Sequence, residues 1–450
     1  MTMDTLKDAI QKAGSPVELL RNKAARAATF PVAPEFTNWR SEQAAWRTTA
    51  ALLDQSHHMT DLYISGPDAL RLLTDFGVNS FAKTAPGKAK QYIATNGDGY
   101  LIGDAVLFHL EDELFDVVGQ STVINWLQYQ AEKGGYKVDL ERDENSMDRP
   151  SGPPKTYRYE IQGPVALEII EKASGTSVSD VKFFNMADVT IAGHRVRGLR
   201  HGMAGQPGLE MFGPWEERDA VLEALLTAGE EYGMVRAGAK AYATANLESG
   251  WVPAVVPAIF GEAEAGYREW LPVNQVASLA GSMDSAEISD YYVTPYEIGY
   301  GRSVKFDHDF LGREALEKMA DQPHREKVTL VWNADDVAAA MKTLLEPGTP
   351  AKYMELPKSR YGLYQHDKVL RDGKQVGVSL DVGYINNEHA FVSLATVDPD
   401  LTQGTEVTVV WGEQPNSKKP LVEEHRQIEL RATVEPCPIA QGTRASYRAS

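Results

Sequence analysis

The sequence predicts an α+β protein with three domains and a β-rich C-terminal part. Its 450 residues are enough for about three domains of ordinary size. Segments with helical and strand-like patterns are mixed up to about residue 325. Beyond that point short strands recur at close intervals, a pattern typical of a small antiparallel barrel or jelly roll.

Helices and strands are mixed in the N-terminal part of the chain. Residues 4–27 predict a helix broken by a proline, and residues 42–49 predict another. The run 62–64 predicts a strand, and Gly66-Pro67 predicts a turn after it. Asp68 stands directly before the next apolar helical run, so we expect its carboxylate to cap that helix.

A meander of hairpins is predicted over residues 88–120. Apolar and polar residues alternate there, and Asn96-Gly97-Asp98-Gly99 supplies the kind of turn that joins paired strands. The glycine spacing does not fit a dinucleotide-binding loop, which a long helix would have to follow. Residues 121–133 predict a helix that ends at two glycines, and the charged, Pro- and Gly-rich stretch 142–155 predicts a linker.

The next unit repeats the order of the first one. A strand beginning at Tyr157, the turn Gln162-Gly163-Pro164 and a helix match the strand, Gly-Pro and helix order of residues 62–73, a weak indication of internal duplication. Residues 214–232 and 237–251 predict further helices. Five strands are predicted near the C-terminus: 327–332, 376–382, 390–397, 405–410 and 429–434.

These segments suggest how the chain is divided. We expect a first α+β domain from residues 1–55 together with 156–275, and a second α+β domain from residues 56–155. The third, β-rich domain would span residues 276–450.

Charge and composition narrow the classes of function. The net charge of −18, from 63 acidic and 45 basic residues, disfavours nucleic acid and anionic membranes as partners. No window approaches the ~20 apolar residues of a membrane helix, and the first residues lack an apolar signal core. The single cysteine, Cys437, cannot form a disulfide within the chain, which suits a reducing compartment. We therefore expect a cytoplasmic protein with small-molecule partners.

Two adjacent histidines, His57 and His58, stand just before the first hairpin strand. On an extended chain neighbouring side chains point to opposite faces, so one histidine would line a site while the other is structural. Packed or surface positions for both are equally open. Zinc needs three or more converging ligands, and no such Cys/His spacing occurs in the sequence, so no metal is predicted.

Two acids are associated with glycine-rich stretches. Asp104 would lie at the far end of the hairpin that follows Asn96, and Glu210 ends the stretch 200–210 beside an apolar strand. A carboxylate at Glu210 could clamp an aminopyrimidine ring through paired, charge-assisted N–H···O bonds. A strand-end acid at Asp104 and a surface acid at Glu210 fit the spacing equally well. The aromatic run 291–301 would bury a domain seam or wall a flat ligand.

Six pieces of the chain together resemble, in order, the glycine-cleavage T-protein family of folate-dependent one-carbon transferases. They are Asp54-Gln55-Ser56-His57-His58, 96–104, Ile161-Gln162-Gly163-Pro164, 205–210, Leu247-Glu248-Ser249-Gly250 and 304–313. Within that family the chain is most similar to the tetrahydrofolate-dependent aryl methyl ether O-demethylases that act on vanillate and syringate. The motifs that carry this closer similarity are 33–40, 57–59, 199–205, 267–272 and 291–301.

The resemblance implies a cloverleaf of three domains around a central folate channel, and it implies roles for individual residues. Gln162, Glu210 and Trp251 would contact the pterin. Asn246 and Tyr242 occupy the two places where the family usually has arginine, which argues against aminomethyl transfer, and Asn246 would remain on the cofactor side.

The catalytic residues implied by the resemblance are Tyr242, His58 and Asp104. Tyr242 and His58 would flank the methoxy substrate. Asp104 matches the acid that aminomethyl transferases use on the folate, and its task here stays open.

The chemistry of ether cleavage is consistent with these assignments. Tetrahydrofolate N5 can attack the methyl carbon in line, and the departing phenoxide needs a proton or a hydrogen bond. A tyrosine with a pKa of about 10 matches a leaving phenol, so Tyr242 is the expected donor, with His58 orienting the ring hydroxyl. Aminomethyl or sulfonium methyl transfer to tetrahydrofolate, and folate binding without catalysis, are the alternatives.

Two positions depart from the vanillate-type pattern and concern the substrate. Gln120 replaces an arginine that binds the ring carboxylate in those relatives, and Phe30 replaces a tyrosine. A bidentate arginine clamp is not replaced by glutamine without loss. The substrate therefore lacks a carboxylate, is held by another base, or has a larger methoxylated ring; the sequence leaves these choices and the oligomeric state open.

Overall fold

The computed structural model describes residues 3–24, 30–359, 361–413, 417–420 and 422–446. Its strands form a six-stranded sheet, a five-stranded sheet, a closed barrel of six strands and a minor two-stranded sheet. The α+β class and the C-terminal barrel predicted from the sequence are confirmed. No helix of the described part of the chain is both long and apolar enough to span a membrane.

The first sheet has the strand order β11-β1-β7-β10-β9-β8. Its strands are β1 (Ala51–Asp54), β7 (Thr156–Gln162), β8 (Met186–Ile191), β9 (His194–Leu199), β10 (Gly208–Pro214) and β11 (Val235–Ala237). Helices α6 (Ala166–Ser174) and α7 (Arg218–Gly229) cover one face, where Leu52, Ile161 and Leu209 pack against Ile169 and Leu225. The opposite face is left for the candidate site.

The second sheet has the order β3-β4-β5-β2-β6 and lies, in the chain, between β1 and β7. Its strands are β2 (Thr60–Ser65), β3 (Lys88–Thr95), β4 (Leu101–Glu111), β5 (Leu114–Gly119) and β6 (Asp139–Asp143). Helices α4 (Ala69–Phe76) and α5 (Ser121–Gly134) contribute Leu72, Leu73 and Ile124 to its core. Strands β2 to β5 lie where strands were predicted, whereas β6 was not predicted and extends into the stretch predicted as a linker.

The two sheets pack against each other through apolar residues on their facing sides. Phe108 and Val118 of the second sheet contact Leu199 and Phe212 of the first in one buried cluster. The ring centroids of Phe108 and Phe212 are 5.4 Å apart. This contact brings the uncovered face of the first sheet against the second sheet.

The two strand, Gly-Pro and helix units use the same glycine conformation. Gly66 and Gly163 have φ values of 108° and 144°, which only glycine adopts readily. At Gly163 a β-carbon would lie 2.3 Å from the carbonyl oxygen of Thr49. The repeated motif therefore marks two turns at which the chain passes too closely or too sharply for a side chain.

The barrel closes in the order β13-β17-β16-β15-β18-β19. Its strands are β13 (Glu326–Trp332), β15 (Asp367–Arg371), β16 (Lys374–Ile385), β17 (Ala390–Val397), β18 (Glu406–Trp411) and β19 (Ile428–Glu435). Trp332, Trp411 and Leu430 fill its interior. All five predicted C-terminal strands are present. Strand β15 and helix α12 (Ala334–Lys342) were not predicted. The β15 sequence, Asp-Lys-Val-Leu-Arg, lacks the alternation of apolar and polar residues that indicates a strand.

The remaining elements connect these three sheets. The helices are α1 (Leu6–Ala13), α2 (Pro16–Asn22), α3 (Trp39–Thr48), α8 (Ala239–Tyr242), α9 (Ala245–Ser249), α10 (Ala265–Trp270), α11 (Arg313–Met319) and α13 (Gln441–Ser446). The minor sheet pairs β12 (Leu279–Ala280) with β14 (Tyr364–Gln365). The predicted domain boundaries remain a prediction, although the first sheet draws strands from 51–54 and 156–237.

Three local predictions need correction. Asp68 does not cap α4 through its side chain, because its carboxylate accepts bonds from Arg71 and from the backbone N–H of Lys137 instead. The predicted helix 237–251 is two short helices, α8 and α9, separated at residues 243–244, where the Thr244 hydroxyl donates to the Ala241 carbonyl. The predicted linker 142–155 begins inside β6, whereas the predicted break at Pro16 is confirmed by α1 and α2, with residues 25–27 outside the described part.

Candidate active site

Strand β7 carries a row of polar side chains on a buried face. Because side chains alternate along a strand, Arg158, Glu160 and Gln162 share one face, while Tyr157, Tyr159 and Ile161 point to the helices. Glu210 of β10 lies directly across from Glu160. Of the two alternatives for Glu210, the surface position is therefore excluded, because its side chain is buried in the first sheet.

Arg158 links the two sheets through ion pairs. Its guanidinium donates to Glu210 of the first sheet at 3.0 Å, and to Asp61 and Asp116 of the second, the Asp116 contact measuring 2.9 Å. It also lies over the rings of Phe108 and Phe212. Burial and the neighbouring Asp61 raise the pKa of Asp116 well above its usual range, and the charge of Arg158 opposes that rise.

Gln162 and Glu160 hold a loop in place. The Gln162 side chain donates to Glu160 and accepts from the backbone N–H of Ala204, at 2.9 Å, and of Gln206, at 3.3 Å. Glu160 also accepts from the Met203 N–H at 2.9 Å, and burial, with a contribution from Glu210, raises its pKa well above the usual range. Gln162 is thus fully buried and bonded to the loop 202–206, and a pterin contact by it stays a prediction.

Tyr242 and His58 form a direct pair. The Tyr242 hydroxyl lies 2.5 Å from His58 Nε2, and the two rings meet edge to face with centroids 4.9 Å apart. Phe30 contributes a third ring, 6.1 Å from that of His58. The structure therefore brings together three of the predicted site residues, Tyr242, His58 and Phe30.

The protonation states of this pair follow from its surroundings. Desolvation lowers the pKa of His58 to about 4, opposed by a hydrogen bond to the Gln55 backbone. A neutral imidazole has one N–H and one acceptor nitrogen, so Nε2 can accept a hydrogen bond from the Tyr242 hydroxyl when the other ring nitrogen donates to Gln55. Desolvation, with the charges of Glu160 and Glu210, raises the pKa of Tyr242 well above 10, so Tyr242 stays a donor at neutral pH.

The side chains of His57 and His58 are separated as expected, but the reason given for the separation is wrong. Residues 56–58 form a turn and not an extended strand. His57 nevertheless points elsewhere: its Nδ1 lies 2.8 Å from the Ser146 hydroxyl, and its ring packs against Trp215. One histidine faces the site and the other is structural, because the turn, and not strand alternation, separates their side chains.

Asp104 accepts three hydrogen bonds from different parts of the fold. Its Oδ2 accepts from the Trp251 indole N–H at 2.8 Å, the Tyr300 hydroxyl at 2.7 Å and the Gln91 amide at 2.5 Å. It lies within β4 opposite Ile93, and not at a hairpin end. Desolvation raises its pKa, and the three donors oppose that rise.

Gln120 lies beside Asp104 in one narrow pocket. Strand β5 pairs with both neighbours at Gly119, which faces Thr60 on one side and Ala105 on the other. This register places residue 120 between the His58 turn and Asp104. The Gln120 amide donates to the Pro253 carbonyl at 2.7 Å, and Asp104 is the one charged residue among the side chains that line the pocket: Ile102, Asp104, Gln120, Thr122, Val123, Val252, Pro253, Ala254, Val255 and Tyr364.

Asn246 faces the barrel. Its Nδ2 donates to Asp381 at 2.6 Å and to the Trp251 carbonyl at 3.0 Å, while its Oδ1 accepts from Lys358 at 3.0 Å. The predicted direct contact of Asn246 with the cofactor stays a prediction. What the structure adds is a bond from Asn246 to Trp251, itself a predicted cofactor residue.

Sequence reasoning missed the residues that organise this site. Arg158 and Glu160 were detectable, because polar residues at every second position of an otherwise apolar strand indicate a buried polar face. Lys358 and Asp381 had no such signal, since Asp381 reaches the site from barrel strand β16 and Lys358 from an irregular segment beside that strand. Among the described residues no group of three or more His, Cys, Asp or Glu side chains is arranged to hold a metal ion; that no metal is needed stays a prediction.

Comparison with known proteins places this geometry in a family. The family model of the GCVT N-terminal domain matches residues 8–254. The chain belongs to the GCVT family. The GCVT-family chain is 46% identical to a syringate O-demethylase of Sphingobium sp. (strain NBRC 103272 / SYK-6) over 98% of its own length and 97% of that protein. It is 29% identical to a sesamin methylene transferase of Sinomonas sp. (strain No.22), over 92% of this chain and 91% of that one.

The fold of the GCVT-family chain also has a solved counterpart. The crystal structure of the glycine cleavage system aminomethyltransferase T from Bartonella henselae matches with a TM-score of 0.61 over 98% of this chain and 99% of that chain. The two sequences are 18% identical, so this likeness concerns the fold. The resemblance predicted from six sequence pieces is thereby confirmed.

Proposed function

We propose that this GCVT-family chain is a tetrahydrofolate-dependent O-demethylase that moves the methyl group of a methoxylated aromatic to N5 of tetrahydrofolate. The observation that carries the proposal is the Tyr242–His58 pair, in which the phenol oxygen lies 2.5 Å from His58 Nε2. The 46% identical syringate O-demethylase supports this class of substrate.

The proposed step is an in-line displacement. The ether C–O bond breaks as the N5–C bond forms, the phenol oxygen takes a proton, and N5 loses one, so the products are a phenol and 5-methyltetrahydrofolate. The Tyr242 hydroxyl turns from His58 to the ether oxygen as negative charge develops there. General-acid assistance of this kind contributes roughly 10²–10⁴-fold.

The raised pKa of Tyr242 changes one part of the sequence-based reasoning. A pKa near that of a free phenol was expected, yet desolvation and two nearby carboxylates raise it. The departing phenoxide would lie in the same surroundings, which raise its proton affinity as well. Donor and leaving group therefore remain matched to each other, and both resist ionisation.

We propose that tetrahydrofolate binds at the part of the site formed by Glu210 and Trp251. Glu210, fixed by Arg158, would accept from the aminopyrimidine N–H groups, and Trp251 would pack against the pterin. Asp104 lies against the Trp251 indole, and its task toward the folate stays a prediction. We place the enzyme in the cytoplasm, where tetrahydrofolate remains reduced.

The side chains that line the Gln120 pocket include no cation, and this bears on which substituent the aromatic ring of the substrate carries. A benzoate carboxylate would meet the Gln120 amide and not a guanidinium there. We therefore propose a vanillate- or syringate-like methoxyphenol whose carboxylate, where present, is not clamped by residue 120.

The test is an assay with purified protein, tetrahydrofolate and a panel of methoxyphenols, with 5-methyltetrahydrofolate and the freed phenol measured by mass. We expect equal amounts of both products and none without tetrahydrofolate. A methylenedioxybenzene, an aminomethyl donor and a dimethylsulfonium donor belong in the panel. Product from one of these donors alone, or phenol release without tetrahydrofolate, would overturn the proposal.

A further inference from the structure

An irregular segment forms one wall of the pocket beside Asp104. Residues 251–257 are neither helix nor strand, and Val252 to Val255 line the pocket. Backbone carbonyl groups need partners when they are not paired in a helix or sheet. Here the partners are side chains from elsewhere in the fold, including Gln120 on the Pro253 carbonyl.

The barrel holds the start of this segment. Lys327 of β13 donates to the Gly250 carbonyl at 2.6 Å. Lys358 and Asp381 form an ion pair at the end of Asn246, and both bond to its side-chain amide. The Asn246 side-chain amide in turn donates to the Trp251 carbonyl, and the Asn246 backbone carbonyl accepts from the Trp251 N–H, each at 3.0 Å.

These bonds form an unbroken series from the barrel to Asp104. Lys358 and Asp381 fix Asn246, Asn246 fixes the Trp251 backbone, and the Trp251 indole donates to Asp104. The Lys358 and Asp381 side chains are largely buried, at 10% and 3% exposure. Charge-assisted bonds in such surroundings are stronger than neutral ones and hold their geometry.

We propose that Lys358 and Asp381 are positioning residues for tetrahydrofolate binding, acting through Asn246 on the indole of Trp251. The inference rests on the proposed function, because it takes the Trp251 wall to be the pterin side of the site. A flat ring system gains from a preset aromatic wall, since little ordering is then left to binding. Residues beyond the matched N-terminal domain thus position Trp251, which lies within that domain.

The test is the double variant Lys358→Met/Asp381→Leu, which removes both charges together and avoids a single unpaired buried charge. Loss of charge-assisted bonds should raise the KM and the Kd for tetrahydrofolate about tenfold. We expect kcat at saturating tetrahydrofolate, and the KM for the aromatic substrate, to stay within about twofold of the parent. Lys358→Arg, which keeps the cation, should restore near-parental KM.

Arg431→Met, in the same barrel, is the matched control, because it breaks an exposed ion pair with Asp336. It should leave both KM values unchanged. If the double variant does not fold, Asp381→Asn carries the same test with a rise of about threefold.

An unchanged Kd for tetrahydrofolate, or equal losses in kcat and in both KM values, would overturn the positioning role. Calorimetric binding without the aromatic substrate separates the two proposals. Parent protein that binds tetrahydrofolate but demethylates nothing contradicts the proposed function alone, and parent protein that does not bind it overturns both.

Discussion

The two ends of the candidate site are built in different ways. At one end one side-chain hydrogen bond joins Tyr242 to His58, His58 is also bonded to the Gln55 backbone, and the rings of Phe30, His58 and Tyr242 pack together. At the other end Asp104 accepts three bonds, and Trp251 is held through its backbone. A lightly held hydroxyl is free to turn toward a reacting oxygen, whereas a fully bonded wall suits binding. The difference suggests that chemistry and cofactor binding are separated along the site.

The substitution Tyr242→Phe is the strongest test of this difference between the two ends. Removal of the hydroxyl should lower kcat roughly 10²–10⁴-fold, the usual contribution of a general acid. The Kd for tetrahydrofolate should change by less than about twofold, because the cofactor end is intact. Turnover is followed by mass detection of 5-methyltetrahydrofolate, and an undiminished kcat would remove Tyr242 as the donor.

The substitution Asp104→Asn tests the other end of the site, where tetrahydrofolate is proposed to bind. The substitution removes the charge that three donors share, so we expect the KM for tetrahydrofolate to rise about tenfold. Steady-state kinetics should show kcat within a few-fold of the parent. A large fall in kcat with an unchanged KM would instead assign Asp104 to the chemical step.

The substitution Gln120→Arg should change which aromatic substrate the enzyme prefers. An arginine can keep the bond to the Pro253 carbonyl and still offer donors to a ring carboxylate. The ratio of kcat/KM for vanillate to that for the same ring without a carboxylate should increase up to about tenfold, as for one added charge-assisted bond. Competition assays with both substrates measure this ratio, and no gain for vanillate would contradict the prediction.

The smallest effect expected is a pH dependence carried by His58. Its pKa is lowered to about 4 in the folded protein, against about 6.5 in an unfolded chain. The unfolded state therefore binds the extra proton first, so the free energy of unfolding should fall as the pH drops from about 6.5 toward 4 and stay level above it.

Thermal unfolding of the parent and of His58→Gln across that pH range measures this contribution. The variant should lose part of the acid sensitivity. Parallel curves for the two proteins would show that His58 does not titrate in this way.

Much of the fold was readable from the sequence because its signals are local. The turn Asn96-Gly97-Asp98-Gly99 marked the hairpin of β3 and β4, and short strands at close intervals indicated the barrel. The helical reading of residues 237–251 failed, because helix propensity does not register the Thr244 bond that separates α8 from α9.

The site was readable only in part. Tyr242, His58 and Phe30 were predicted to lie near the substrate, and the structure brings them together. Two partners of Arg158, Asp61 and Asp116, by contrast, come from strands of another sheet, and pairing of that kind leaves no local pattern. Lys358 lies outside any regular strand, and its contact with Asn246 depends on how the barrel packs against the rest of the protein.

The position of the second sheet in the chain affects how the protein is made. Strands β1 and β7 are antiparallel neighbours, yet every strand of the second sheet is synthesised between them. At ordinary translation speeds β1 waits roughly 5 to 20 seconds for its partner to leave the ribosome. During that interval Leu52 and Leu53, both destined for the interior, have no sheet to join, so the nascent chain should depend most on chaperones, and be most sensitive to growth temperature, in this window.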